Sequence, residues 1–362
     1  MAGGVSGYGA VSARVRVKLS NLLSERELHA LLEADDLTAL VEALKRSNYG
    51  LDIEAQRERD LSAAEVIRIL RRRQASEAHS IIQAVPGTSR RVLLQLFRRH
   101  EVNNLKAVLR AIATGGGGKG DGSAWEHVKL LLFPLGNQTQ IPVEAMLEAG
   151  AIPAAIELLR GTPYYETLTF ALKRYSAEQS LFPLEVALDL DHWRKLWAEA
   201  HKLSGQDQAQ AVRVLGALAD ASNLMWAIRY RVYKHLSEEE LINYTLPFGQ
   251  RVHDEHIRAI AAGADIGSVV ERLYPEVEDL AALLSDPRSG LPRLEIELKR
   301  VLARRCMAAF LGDPFHVGLP LAFIILHDLE IQDLIVLLEA KSTRVRAEEF
   351  RPYLLSAAAA PA

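Results

Sequence analysis

The sequence predicts an all-α protein built from three related helical units, and three observations carry that expectation. Apolar residues recur at the three- and four-residue spacing of a helix face along most of the chain. No alternating apolar–polar run holds for five residues outside such a context. One segment appears three times, as EVNNLKAVLRA from Glu101, DASNLMWAIRYR from Asp220 and EIQDLIVLLEAK from Glu330. Its pattern is an acid, two residues, Asn or Asp, Leu, three residues, then Leu or Ile before a charge. On a helical period Leu105, Val108 and Leu109 share a face, as do Leu224, Ala227 and Ile228, and Leu334, Leu337 and Leu338. Asn104, Asn223 and Asp333 stand beside that stripe in the three copies. A buried amide or carboxylate needs a hydrogen-bond partner, so these three are expected to be structural residues of a packed interhelical contact.

The flanks repeat as well. Leu31 to Tyr49 aligns without a gap on Met146 to Tyr164, an offset of 115 (146 − 31), with seven of nineteen residues identical, including the closing Tyr. Ala262-Gly263 falls on Ala149-Gly150, and Pro247-Phe-Gly249 on Pro134-Leu-Gly136, both at an offset of 113. Glu295 falls on Glu185 and Glu330 on Asp220 at an offset of 110. Repeats of this length imply one module used three times. The expected organisation is unit 1 over 1–114, a glycine-rich linker over 115–124, unit 2 over 125–237, unit 3 over 238–350 and a disordered tail over 351–362.

Taken in order, Met1 to Gly7 reads as disordered and a helix starts at Tyr8, with Val11, Val15 and Leu19 on one side. Ser24 and Glu27 form a capping box for the next helix, which breaks at Asp35-Asp36. A short helix follows through Leu37, Leu40, Val41 and Leu44. A longer one runs from about Leu61 to Val85 and ends at Pro86-Gly87. Ser89 is placed to cap the helix holding the first signature segment. Gly115 to Ser123 (GGGGKGDGS) breaks the chain. Read as a phosphate loop it fails, because Gly120 follows Lys119 where Ser or Thr is needed and no strand leads in; it reads as a flexible linker. Long helices are expected over about Leu181 to Lys202 and Gln206 to Leu236, and the third unit repeats the pattern from Glu238.

Composition narrows the function. A net charge of −3 over 362 residues supplies no basic field for nucleic acid. Cys306 is the one cysteine, which excludes an intrachain disulfide or a cysteine metal cage and points to a reducing compartment. The start of the chain carries no secretory apolar core. The longest apolar run, Val317 to Leu326, is about half of a bilayer span, so any membrane association is expected to be peripheral.

The remaining candidates have bland readings. His253 and His256 are three apart with no third ligand and match no HExxH pattern, so a solvated face is expected. Asp35-Asp36 lacks the further Asp that a magnesium-binding helix face needs, since Ala39 and Leu40 stand there. Asp189, Asp191 and His192 offer an acid–base pair, but without a nearby nucleophile they read as helix N-caps. Asn137-Gln-Thr139 is a glycosylation sequon only in a secreted chain. The Arg-rich stretches Arg68 to Gln74 and Leu94 to His100 read as solvated faces, with an acidic protein partner left open. No catalytic constellation, cofactor or metal site is expected.

Several stretches in fixed order resemble the C subunit of the V/A-type rotary ATPases, the family that includes the d subunit of the eukaryotic membrane sector. These are Tyr8 with Ala-Arg-Val-Arg-Val-Lys18, Asn103-Asn-Leu105, Leu159-Arg-Gly-Thr-Pro-Tyr164 and Leu188-Asp-Leu-Asp-His-Trp193. Asp220-x-x-Asn-Leu224 with Arg229 and Arg231, and Asp313-Pro-Phe-His-Val-Gly318 before Glu330, continue the likeness, which spans about Tyr8 to Arg344. The glycine insert at Gly115 to Ser123 departs from it. The resemblance implies a funnel of three helical units about a pseudo-threefold axis, present once per complex on the cytoplasmic face of the membrane. It implies a non-catalytic rotor part that seats the central-shaft subunits on the proteolipid ring and passes torque between ATP turnover and proton or sodium transport, with no nucleic acid and no small-molecule substrate. Arg14, Arg16, Arg110, Arg229 and Arg231 are the expected shaft contacts. The alternative is a helical scaffold or adaptor outside any rotary motor, although solenoid repeats are about 34 to 47 residues long.

Overall fold

The computed structural model describes residues 2–56, 61–116, 128–129, 132–234, 236–278, 280–284 and 287–355, and among these there is no strand. The expected all-α class is what the chain adopts. The glycine-rich stretch beyond Gly116 and residues 356–362 lie outside the described residues. The first part of the expected tail over 351–362 is not disordered: Arg351–Tyr353 forms a short helical turn and Leu354 is fully buried, because Asp333 and Arg300 hold the backbone of Leu354 and Leu355.

The first stretch comprises α1 (Ala2–Ser20), α2 (Glu25–Leu32), α3 (Leu37–Lys45), α4 (Gly50–Glu54), α5 (Ala63–Ala84) and α6 (Gly87–Phe97). α1 begins at Ala2 rather than Tyr8, because a helix nucleated on the buried stripe of Tyr8, Val11 and Val15 propagates outward more easily than it starts. Ser24 with Glu27 and Ser62 with Glu65 make the reciprocal capping boxes of α2 and α5, and Asp36 caps α3 through the Ala39 amide. Ser89 does not cap as expected. It sits inside α6, buried, because Gly87 at φ 54° turns the chain earlier and opens the helix there.

The signature segment follows on α7 (Arg99–Ala111), then α8 (Val143–Ala149), α9 (Ile152–Glu157), α10 (Tyr165–Glu178) and α11 (Phe182–His201). The rest is α12 (Gly205–Arg229), α13 (Glu238–Asn243), α14 (Asp254–Ala261), α15 (Ile266–Leu273), α16 (Leu280–Leu284), α17 (Pro287–Ala308), α18 (Gly318–Ser342) and α19 (Ala347–Phe350). Arg91–Glu199 forms one compact unit; residues up to Arg90 and those from Ala200 onward form another.

In the unit of Arg91–Glu199, Val102, Leu105, Val108 and Leu109 of α7 pack against Met146 and Leu147 of α8, Ile152 and Ile156 of α9, and Leu184 and Leu188 of α11. The predicted stripe is the one that is buried. Each such leucine contributes roughly 2 kcal/mol by leaving water.

In the other unit α18 is the central element. Its first half is apolar all round, and Leu319 to Leu326 are buried on every side, as a core helix requires. Pro320 is tolerated because it stands in the first turn, where no helical N–H bond is lost. α18 packs against α5, α1, α3, α12 and α17. Its second half, with Ile331, Leu334, Leu337 and Leu338, shares a core with Leu31, Leu40, Leu44, Ile53 and Leu70 from the first quarter of the chain. The third signature helix is therefore completed by the first flank, whereas α7 is completed by the flank that follows it.

One helix among the described residues, Gly205–Lys234, is long and apolar enough to span a bilayer by length and composition, and 67% of its most apolar window is buried within the chain. A search for contiguous apolar runs misses it, because Asp220, Ser222 and Asn223 interrupt the run. Packing against α14, α17 and α18 accounts for its apolarity as a core helix.

Candidate functional site

The recurring acids and amides of the signature segments are largely withdrawn from solvent, and what they bind is mostly backbone. Asn104 on α7 donates from Nδ2 to the Phe133 carbonyl at 2.9 Å, and its Oδ1 accepts from the Phe133 amide at 2.8 Å. Asn223 on α12 does the same to Leu246, at 2.8 and 2.7 Å. The partner is a single loop residue gripped at both backbone groups, and not a neighbouring helix as expected. A side-chain amide has one donor and one acceptor side by side, which matches one residue's C=O and N–H. Asp333 has no donor, so at its loop it accepts the Leu355 amide at 2.9 Å. The missing donor comes from Arg300 on α17, which reaches the carbonyls of Leu354 at 2.7 Å and Leu355 at 3.2 Å. The third copy has divided between two side chains what one Asn does in the others.

One turn earlier on the same face stands the acid of the pattern, and it too binds loop groups. Glu101 accepts from the Gln140 amide and, at 2.6 Å, from the Tyr164 hydroxyl. Asp220, fully buried, accepts from the amides of Gln250, Arg251 and Val252 at 2.7, 2.8 and 3.0 Å, with Arg305 at 3.7 Å. Glu330 accepts from the Leu23 amide at 2.7 Å and from the Tyr49 hydroxyl at 2.6 Å. Tyr49 and Tyr164, aligned in sequence, thus hold corresponding acids on different helices. The acids, and the tyrosine partners of two of them, were the residues that sequence reasoning left without a role, although the recurring acid and the identical Tyr were both in view.

Gly249 makes the Asp220 contact possible. A Cβ there would overlap Asp220 Oδ1 and come within 2.7 Å of the Val252 carbonyl. Gly249→Ala is expected to cost about 3 kcal/mol by forcing the loop off the carboxylate, seen as a lowered urea midpoint with helix content retained. Its repeat counterpart Gly136 is glycine for another reason, a φ of 54° with open space around it.

A second network ties the ends of helices. The Tyr8 hydroxyl donates to Asp207 at 2.9 Å and lies 2.7 Å from Ser89 Oγ, and Asp207 accepts the Val317 amide at 2.8 Å. Tyr8 and Val317, residues that carried the family resemblance, are thereby structural. The five arginines are all engaged within the chain. Arg14 reaches the Ser80 carbonyl at 3.2 Å, Arg16 the Phe310 carbonyl at 3.0 Å, and Arg110 grips Glu185 at 2.5 and 3.1 Å. Arg229 pairs with Glu295, and Arg231 collects the carbonyls of Ile260, Gly263 and Ala264 where α14 ends. Against burial, which raises it, Lys299 and Arg229 hold the Glu295 carboxyl below the usual range. Arg14, Arg16 and Arg110 remain exposed.

The other candidates resolve into structure. Asp189, Asp191 and His192 are not N-caps; Phe182 and Pro183 start the helix a turn or more earlier, so all three fall inside α11. Asp189 pairs with Lys106 at 2.7 Å and Asp191 with Lys195 at 2.6 Å. Burial, with Arg99 and Lys106 nearby, pushes His192 down to about 3, which leaves a neutral ring unsuited to accepting a proton near neutrality. His253 is the N-cap of α14, its amide donating to His256 Nδ1 at 3.1 Å. No group of three or more His, Cys, Asp or Glu among the described residues is placed to hold a metal ion.

Comparison with known proteins places this framework in a family. The model of the ATP synthase (C/AC39) subunit matches residues 11–353. The C subunit of the A-type ATP synthase of Methanocaldococcus jannaschii is 26% identical over 358 residues, covering 96% of this chain and 86% of that protein. Its counterpart in Methanothermobacter thermautotrophicus is 26% identical over 91% of this chain and 83% of its own length, and that of Methanococcoides burtonii is 22% identical over 98% and 95%. The likeness runs through all three signature helices, so this chain belongs to the ATP synthase C/AC39 subunit family.

Proposed function

We propose that this chain is the non-catalytic central-rotor coupling subunit of a V/A-type ATPase or ATP synthase. It seats the central-shaft subunits on the proteolipid ring and transmits torque for ATP-linked proton or sodium transport. The observation that carries this reading is the family match over residues 11–353, together with the use of every signature carboxylate and amide to pin a loop. Acids committed to loop amides and tyrosine hydroxyls serve to hold the chain, and they brace helices that must not yield under torque. Protein interiors of this kind have low compressibility.

The three repeat units over 1–114, 125–237 and 238–350, joined through the 115–124 linker, are taken to surround a pseudo-threefold axis as a funnel. The recurrence of one loop-gripping device on α7, α12 and α18 supports this. The protein would be peripheral, on the cytoplasmic face, held to the membrane through the ring in one copy per complex. Affinity isolation of the tagged chain from native membranes is expected to recover the ring and a shaft subunit; recovery of neither overturns the proposal.

Arg14, Arg16, Arg110, Arg229 and Arg231 are proposed to meet the shaft. The exposed members are the informative ones, since Arg229 and Arg231 also hold their own chain. Arg14→Glu with Arg110→Glu is expected to weaken shaft binding roughly tenfold or more at low salt, with helix content unchanged, because two charge reversals each act over about a Debye length. Unchanged binding in a titration against the purified shaft removes these arginines from the contact.

A further inference from the structure

Among the described residues, the joint of Asp220 is the one with a cation close to the carboxylate itself, Arg305 at 3.7 Å. At the two tyrosine joints the nearby arginine acts on the hydroxyl partner instead, Arg98 on Tyr164 and Arg73 on Tyr49, whose ring it overlies. Among the described residues no Lys or Arg lies within ion-pair distance of Glu330, which stands half-buried on α18 beside the core that this helix shares with the first quarter of the chain. The Tyr49 hydroxyl that donates to Glu330 at 2.6 Å also lies 3.4 Å from His327 Nε2, on the preceding turn of α18. His327 Nδ1 in turn faces Glu77 Oε2 of α5 at 3.6 Å.

We propose that Glu330, Tyr49 and His327 form a proton-operated latch that fastens the N-terminal segment Leu23–Tyr49 to α18 and loosens when Glu330 ionises. In the ionised state the carboxylate accepts from both the Leu23 amide and the Tyr49 hydroxyl. On taking up one proton from solvent, the carboxyl O–H donates to the Tyr49 oxygen. The Tyr49 hydrogen then turns to His327 Nε2, an acceptor while the ring is neutral and its proton sits on Nδ1 facing Glu77. The Leu23 amide keeps its acceptor in both states. Every donor has an acceptor in both states, and the two donors favour the charged form; what favours the protonated joint is the removal of a charge held away from water, and that is the larger effect.

The surroundings act in the same direction. From α5, Glu77 is matched by Arg73 at 3.2 Å and by Lys18 of α1 at 3.7 Å; Arg73 also pairs with Asp52 at 2.8 Å and lies over the Tyr49 ring. On α18 itself Asp328, held by Gln74 at 2.8 Å, and Asp333 add negative charge, and Arg71 interacts electrostatically with Glu339 and Asp328. Lys299 of α17 is taken by Glu295 at 3.1 Å and by Gln332 at 3.0 Å. The cations present are thus shared among Glu77, Asp52, Asp328 and Glu295. Burial pushes Glu330 up to about 7 despite its two donors, and burial pushes His327 down to about 4, so the ring is neutral where the carboxyl titrates.

The sign follows from linkage. An acid whose folded value lies above its unfolded one stabilises the closed joint at low pH and loses that contribution as pH rises through about 7. Hydrogen exchange on the full chain, read on the peptide containing Leu23 and corrected for intrinsic rate, tests it. From pH 5.5 to 8 the opening equilibrium of that segment is expected to rise roughly thirtyfold more in the wild type than in Glu330→Gln. Parallel pH courses in the two proteins overturn the latch. Should Glu330→Gln fail to fold, infrared spectra of the wild type and Tyr49→Phe decide instead. A protonated-carboxyl band titrating near 7 and moving to higher pH without the Tyr49 donor supports the latch. Absence of such a band, or a midpoint indifferent to Tyr49, overturns it.

Discussion

Replacing Asp220 by Ala is expected to lower stability by about 4 kcal/mol, the largest effect of any single substitution in the signature segments. The side chain is fully buried on α12 and is the acceptor of three consecutive backbone amides, those of Gln250, Arg251 and Val252. Removing it leaves three buried N–H groups without an acceptor, each costing about 1–3 kcal/mol before water enters, and leaves Arg305 without its nearest anion. Unfolding in urea, followed by far-ultraviolet circular dichroism together with the fluorescence of the four tryptophans, of which Trp226 lies on α12, measures the loss. Asp220→Asn separates shape from charge. It retains one acceptor oxygen but turns an N–H toward an amide donor, so roughly half the loss is expected to remain. Equal stability of Asp220→Ala and the wild type would mean that the loop from Gln250 is held by its apolar contacts alone.

What the sequence disclosed about these joints depended on which partner carries side-chain information. Asn104, Asn223 and Asp333 were legible as structural because the pattern repeats around them. Their partners were not, since Phe133, Leu246 and Leu355 are gripped by backbone and share only apolar character. A backbone partner leaves no mark in sequence. The pairing of Tyr49 with α18 was hidden for another reason: alignment shows that Tyr49 and Tyr164 correspond but cannot say which helix each flank joins. Closure of the first flank on the last helix emerges only from the shared core of Leu40 and Leu44 with Leu334 and Leu338. Asp189, Asp191 and His192 were misplaced because an acid cluster resembles a helix start. Pro183 had already supplied one, since proline is favoured in the first turn. The all-α class and the helix periods were plain throughout, because each buried stripe is several turns long.

The Asn-for-Asp exchange between copies yields the second large effect. Asn223→Asp is expected to destabilise the chain by about 3 kcal/mol at neutral pH. The introduced carboxylate would face the Leu246 carbonyl, to which Asn223 now donates at 2.8 Å, with oxygen opposed to oxygen in a site closed to solvent. Among the described residues, no side chain near Leu246 takes the part that Arg300 plays at Leu354 and Leu355 beside Asp333. The loss is reversible by acid. A neutral Asp restores the donor through its O–H and keeps the acceptor for the Leu246 amide, so its folded value must lie above the unfolded one of about 3.9. Stability relative to wild type is then recovered below the unfolded value and lost as pH rises through the folded one. The reciprocal change Asp333→Asn should cost under about 1 kcal/mol, since the Leu355 amide keeps its acceptor and Arg300 already serves the carbonyls. Parallel urea titrations of both variants at pH 4 and pH 7 check the pair. If Asn223→Asp and Asp333→Asn behave alike, the division of labour between Asp333 and Arg300 is not what distinguishes the third copy.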